Sequence, residues 1–233
     1  MIKITTLASG SNGNCYHITD GSTQLLLECG INFKEIQVGL NFKMSEVAAC
    51  LVTHEHTDHC KAIKDVLKAG IDVYASKGTI EALDIQHHRL KPTQAKKQFQ
   101  VGTWIVLPFD IQHDTKEPVG FLLVNTEGER LLFITDSFYS KYIFNNLTHI
   151  MLEVNYCTKV LEDNILKGVT PKGMRNRLRR SHFSLEDAVD FLKANDLSKV
   201  QEIWALHLSD TNSDEALIKR TLQGVTGKPI FIT

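Results

Sequence analysis

The chain has 233 residues, 26 Lys and Arg against 27 Asp and Glu, a formal net charge of −1 and 42% hydrophobic residues. That length suits one large α/β domain with a substantial core, so a single domain over 1–233 is expected. A near-neutral balance excludes a globally basic nucleic-acid binder and leaves any polyanion contact to a local patch.

In chain order, apolar periodicity predicts strands at Lys3–Ala8, Cys15–Thr19 and Gln24–Leu27, a helix at Phe33–Leu40, and a strand at Ala49–Val52. A helix at Lys61–Lys68, a strand at Asp72–Ala75 and a helix at Thr79–Leu83 follow, with Lys91, Lys96 and Lys97 in an exposed loop. The centre is β-rich: Trp104–Leu107, Val119–Asn125, Arg130–Thr135 and Ile150–Val154, with Thr126-Glu127-Gly128-Glu129 as a turn. Helices at Leu185–Ala194 and Asp214–Leu222 alternate with strands at Glu202–Leu206 and Pro229–Ile232. Periodicity alone therefore says mixed α/β. The start, Met1–Thr6, alternates like a strand and lacks the pattern of an export signal. No apolar run approaches the ~18 residues of a membrane span. Five cysteines (Cys15, Cys29, Cys50, Cys60, Cys157) without C-x-x-C spacing read as reduced thiols, so a cytoplasmic protein with no membrane contact is expected.

The densest chemistry is Val52-Thr53-His54-Glu55-His56-Thr57-Asp58-His59. In extended backbone, residues two apart point the same way, so His54 and His56 can grip one cation together. If the chain then enters a helix, Asp58 and His59 turn toward a second position. Imidazole nitrogen and carboxylate oxygen suit Zn, Mn or Fe. A zincin helix is excluded, because His-Glu-x-x-His would need a histidine where Asp58 stands. Gly10 and Gly13 match neither dinucleotide nor Walker spacing, and read as a turn between strands beside the metal loop. His87-His88 has no partner ligands nearby in sequence and reads as surface.

The pattern H-x-H-x-D-H after a strand resembles the signature of the metallo-β-lactamase superfamily. Ala8-Ser9-Gly10-Ser11-Asn12-Gly13-Asn14-Cys15, Thr135-Asp136-Ser137, Leu152-Glu153-Val154-Asn155-Tyr156, Ser181-His182-Phe183-Ser184 and Leu206-His207-Leu208-Ser209 resemble its YycJ/WalJ-like subfamily, related to RNase Z and the β-CASP nucleases. The resemblance implies a four-layer αββα sandwich and two divalent ions, Zn or Mn, with Fe as a third option. It puts His54, His56 and His113 on one ion, Asp58, His59 and His207 on the other, and Asp136 between them. Each of His113, Asp136 and His207 closes a hydrophobic run, where strand-end loops gather. The subfamily usually has Asp where this chain has Glu28, in Leu27-Glu28-Cys29-Gly30. Glu28 is expected to brace the metal loop, if the backbone yields by about one methylene. Glu153 is expected behind the ligands, orienting water or a histidine, and Asp58 is a second candidate for that work.

Two ions about 3.5–4 Å apart would lower the pKa of a bridging water, giving a hydroxide near neutral pH and a clamp on an oxyanion. His182 resembles a histidine of RNase Z that precedes the last ligand, which implies contact with a phosphate oxygen or proton delivery to the leaving group. The run from Lys167 to Arg180 places six basic side chains in fourteen residues, directly before His182. Of these, Lys172, Arg175, Arg177, Arg179 and Arg180 are expected to contact phosphates, and arginine suits bidentate binding. Phe138, Tyr139 and Tyr142 are the nearest candidates for base stacking, with core packing as the alternative.

The expected function is a dinuclear metal-dependent phosphodiesterase on nucleic acid, with DNA exonuclease favoured by the resemblance. The alternative is an acyl ester, thioester or lactone hydrolase of the same fold, and a metal-stabilised binding module comes third. A homodimer is compatible with these residues.

Overall fold

The computed structural model describes residues 1–233 and divides into two compact units, Met1–Asp110 with Thr115–Glu129, and Ile111–Asp114 with Arg130–Thr233. The first unit contains β1 (Lys3–Ala8), β2 (Cys15–Thr19), β3 (Gln24–Leu27), α1 (Phe33–Gly39), β4 (Val47–Leu51), α2 (Thr57–Cys60), α3 (Ile63–Lys68), β5 (Asp72–Ser76), α4 (Lys77–Leu83), β6 (Leu90–Thr93), β7 (Phe99–Val101), β8 (Trp104–Asp110) and β9 (Val119–Val124). The second contains β10 (Arg130–Ile134), β11 (His149–Glu153), α5 (Thr158–Leu166), α6 (Lys172–Ser181), α7 (Leu185–Ala194), β12 (Glu202–Leu206), α8 (Glu215–Thr226) and β13 (Ile230–Ile232).

In the first unit, six strands run in the order β1-β2-β3-β4-β5-β6, antiparallel up to β3 and parallel beyond it. The parallel strands are apolar on both faces, as Leu25-Leu26-Leu27 and Ala49-Cys50-Leu51 show, and these residues are fully buried. The core on the helical side joins Leu26, Cys50, Val52, Val66 and Val73. β7, β8 and β9 pair as antiparallel neighbours. In the second unit, β10, β11, β12 and β13 pair in parallel. Leu131 to Ile134 and Ile150 to Leu152 are buried on both faces. Parallel neighbours end on one edge, so the residues after β10, at the end of β11 and after β12 lie side by side.

Most expected elements are present within a residue or two. The helix expected over Lys61–Lys68 is α3, which begins two residues later at Ile63, and a separate four-residue helix, α2, precedes it. Lys91 lies in β6 instead of a loop. This strand is an edge strand, which is where Pro92 is tolerated, and the proline masked it in the sequence. β7 is only three residues long, and α5 buries just Leu161 and Ile165, so neither carries a strong period.

Backbone contacts lock three loops of the first unit together. Asp58 C=O accepts from Asn14 N–H at 2.7 Å, His59 C=O from Cys29 N–H at 2.9 Å, and Asn14 C=O from Gly30 N–H at 2.9 Å. Gly30 makes this approach possible, since a Cβ there would lie 1.7 Å from the Asp58 carbonyl oxygen. Gly30→Ala must displace the backbone that carries Asp58 and His59, and overpacking of this kind costs about 1–3 kcal/mol or more. Thermal unfolding should show a clear drop in Tm for Gly30→Ala and no loss for Gly173→Ala in α6, where an added Cβ meets nothing. Equal Tm values for the two variants would contradict this packing.

Candidate metal centre

In the first unit, β4 runs into Val52 and Thr53, both fully buried, and delivers His54 into the interior. His56 is the N-cap of α2, whose first turn carries Asp58 and His59. The rings of His54 and His56 lie 4.8 Å apart edge to face, and those of His54 and His59 4.2 Å apart. His54 Nδ1 is 2.9 Å from Thr53 Oγ1. His59 Nε2 stands 3.2 Å from Asn14 Nδ2 and 3.4 Å from Asp58 Oδ2, and its Nδ1 lies 3.6 Å from Glu28 Oε1. The strand-then-helix geometry expected for this segment is what the chain adopts.

Glu28 is fully buried and accepts from Thr53 N–H, 3.3 Å from each carboxylate oxygen. Burial pushes its pKa up, while hydrogen bonds from His59 and Thr53 pull the other way. Its φ of +65° is left-handed, a conformation that costs a residue with a side chain about 1–3 kcal/mol. Cys60 donates its thiol toward the carbonyls of Glu55 and His56, both at 3.2 Å, and burial pushes its pKa up to about 12. It braces the loop as a neutral thiol.

In the second unit, Asp136, Glu153, His182 and His207 bring their ligand atoms within 4.8 Å of one another. Asp136 lies two residues past the end of β10 and His207 directly follows β12, with φ of +48° and +53°. The fully buried Glu153 carboxylate gathers the group: His182 Nδ1 lies at 2.6 Å and His207 Nδ1 at 2.9 Å. Ser137 N–H and Phe183 N–H donate to its other oxygen at 3.0 and 3.2 Å. Burial would raise the Glu153 pKa, but the His182 charge and the hydrogen bonds from His182 and His207 outweigh it and hold the group below the usual range. Burial likewise works against the His182 cation, and the Glu153 charge overcomes it, so the His182 pKa is raised. His113 places Nδ1 3.1 Å from the Ser181 carbonyl, which fixes Nδ1 as the donor, and Nε2 3.6 Å from Asp136 Oδ2. Burial lowers its pKa, against the pull of Asp136.

The donor set fits a divalent cation. His54, His113 and His207 each engage Nδ1 with an oxygen partner, the arrangement that orients Nε2 as a metal ligand. Carboxylate and imidazole are the donors that Zn, Mn and Fe accept.

The basic run forms α6, which ends at Ser181, so the helix leads directly to the carbonyl that holds His113 and to His182. Lys172, Arg177, Arg179 and Arg180 are exposed. Arg175 is half-buried and pairs with Glu162 of α5. Tyr139 is exposed, Phe138 and Tyr142 are half-buried, and all three line a cavity of about 380 Å³ with Phe183 and Phe191, so they are not core. Sequence reasoning assigned no role to Asn14, Thr53, Ser137, Asn155 or the Ser181 carbonyl. Asn155 donates to the His207 carbonyl at 2.9 Å. The only signal for Asn14 and Asn155 was their place inside quoted motifs, and a backbone carbonyl leaves none.

Residues 23–207 match the family profile described as a beta-lactamase superfamily domain. Exodeoxyribonuclease YycJ of Bacillus anthracis is 27% identical over 96% of this chain and 89% of its own length. Exodeoxyribonuclease WalJ of Streptococcus pneumoniae is 25% identical over 94% of this chain and 86% of its own. Among solved structures, the metallo-beta-lactamase fold protein YhfI from Bacillus subtilis superposes with a TM-score of 0.77 at 14% identity, covering 100% of this chain and 96% of that one. The chain therefore has the metallo-β-lactamase fold and belongs to the metallo-β-lactamase superfamily.

Proposed function

We propose that this protein is a metal-dependent phosphodiesterase that shortens DNA from an end, the two units acting as one catalytic domain. The observation that carries the reading is the Glu153 clamp, which holds a ligand histidine, His207, and a histidine outside the ligand set, His182, on one carboxylate. The exodeoxyribonuclease names of two relatives supply the substrate class. His54, His56 and His113 are assigned to one ion and Asp58, His59 and His207 to a second, with Asp136 serving both. Zn or Mn is favoured, and Fe has the same donor preferences. When bound, such ions supply an activated water and a clamp on phosphoryl oxygens.

The chain's own groups supply the rest. Water gives up a proton to solvent and attacks phosphorus, and the P–O bond to the departing sugar oxygen breaks, leaving an alkoxide. His182, fixed through Nδ1, presents Nε2 to donate a proton to that alkoxide or a hydrogen bond to a phosphate oxygen. Glu153 accepts from Nδ1–H and its charge favours the doubly protonated ring, in which Nε2 also carries a proton to give. Exposed Arg177, Arg179 and Arg180 of α6 offer phosphate contacts next to His182 in the chain. No helix is long and apolar enough to cross a membrane. All five cysteines are buried and free, which fits a cytoplasmic location.

Protein loaded with Mn or Zn, given end-labelled single- and double-stranded DNA, should trim the label in a metal-dependent way that Asp136→Ala abolishes. Hydrolysis of a thioester or lactone panel without any trimming would move the protein to the acyl-hydrolase reading. His182→Gln should keep bound metal and lose about 10²–10⁴-fold in kcat, the usual worth of a positioned acid. A kcat within twofold of wild type would remove His182 from the chemistry.

A further inference from the structure

The first unit holds a cavity of about 680 Å³ whose lining the proposed reaction does not use. On one wall the rings of Tyr74 (β5) and Phe99 (β7) stack, with centroids 4.5 Å apart and planes 14° apart. Around it stand Lys77, Lys97 and Lys116, all exposed. Lys77 and Lys116 share one carboxylate, Glu81, at 3.9 and 3.5 Å. Exposed ion pairs of that length contribute little, so both ammonium groups transfer readily to a stronger anion.

The cavity is coupled to the metal loop. The Lys116 N–H donates to Glu55 Oε1 at 2.9 Å, and Glu55 stands between His54 and His56. Thr79 of α4 reaches the other Glu55 oxygen at 3.4 Å. A ligand seated against Lys116 is therefore one hydrogen bond away from the residue that separates the two histidines.

We infer that this cavity is a subsite for an unpaired nucleotide of the DNA strand being degraded, its phosphates on Lys77, Lys97 and Lys116 and its base on the Tyr74–Phe99 stack. The inference rests on the nuclease reading for its ligand class. The volume falls within the about 300–1,000 Å³ of small-molecule sites. Ammonium groups flanking an aromatic platform are the combination that holds single strands without reading sequence. A fully paired duplex offers no free base face, so the subsite discriminates in favour of single-stranded ends.

The test is fluorescence anisotropy of a labelled oligothymidylate on metal-free full-length protein over a salt series. The triple variant Lys77→Gln, Lys97→Gln, Lys116→Gln should bind about tenfold more weakly, with a log–log salt slope shallower by about 2. Glu81→Gln releases two of the three lysines and should bind more tightly than wild type, a gain that a merely structural role would not produce. Lys97→Gln alone, which breaks no ion pair with Glu81, covers the case in which the triple variant unfolds. Wild-type affinity in both Lys97→Gln and Glu81→Gln overturns the subsite, as does absence of oligonucleotide binding by the wild type. Metal-dependent trimming by the wild type, measured separately, keeps the fate of the nuclease reading distinct from that of the subsite.

Discussion

One buried carboxylate holds the second unit's cluster of histidines and carboxylates in place. Glu153 is fully buried, yet it accepts from two imidazoles and two backbone N–H groups that come from three separate segments of the chain. An ionised carboxylate without partners would be costly in that interior. The donors that offset the cost also keep it charged, as its lowered pKa reflects. The residues after β10, the end of β11, the segment after α6 and the residue after β12 are thereby tied to one point. Removing that charge would leave His182 and His207 without a common anchor.

The first unit reaches the same end with backbone instead of charge. The Asn14 and Cys29 N–H groups hold the carbonyls of Asp58 and His59, and Gly30 N–H ties back to the Asn14 carbonyl. Cys60 and Glu28 fill the space behind with a neutral thiol and a buried carboxyl. In both units the histidines are oriented by their second nitrogen or by rigid packing before any cation arrives. Left-handed backbone at Glu28, Asp136 and His207 is the strain accepted to aim these side chains from strand ends.

Much of this was legible in the sequence, because covalent spacing and strand endings carry it. His54, His56, Asp58 and His59 sit within six residues, so a strand-to-helix turn dictates where they point. Asp136, Glu153 and His207 each follow an apolar run, and in the second unit the parallel strands bring those run ends together. What was hidden depends on contacts far apart in the chain. The partner of Arg175, the role of the Ser181 carbonyl and the closeness of Gly30 to Asp58 involve no local pattern. β6 was hidden by its proline and α5 by its weak apolar stripe.

The central proposal is that preorganised histidines and carboxylates hold two divalent ions per chain, with Asp136 common to both. Elemental analysis of protein purified, loaded with Zn or Mn and exhaustively dialysed tests it directly. Two tightly held ions per chain in the wild type, falling to one or none in Asp136→Asn with the fold retained by circular dichroism, is the predicted result. A wild type that retains no ion, or a variant that still holds two, would contradict the account.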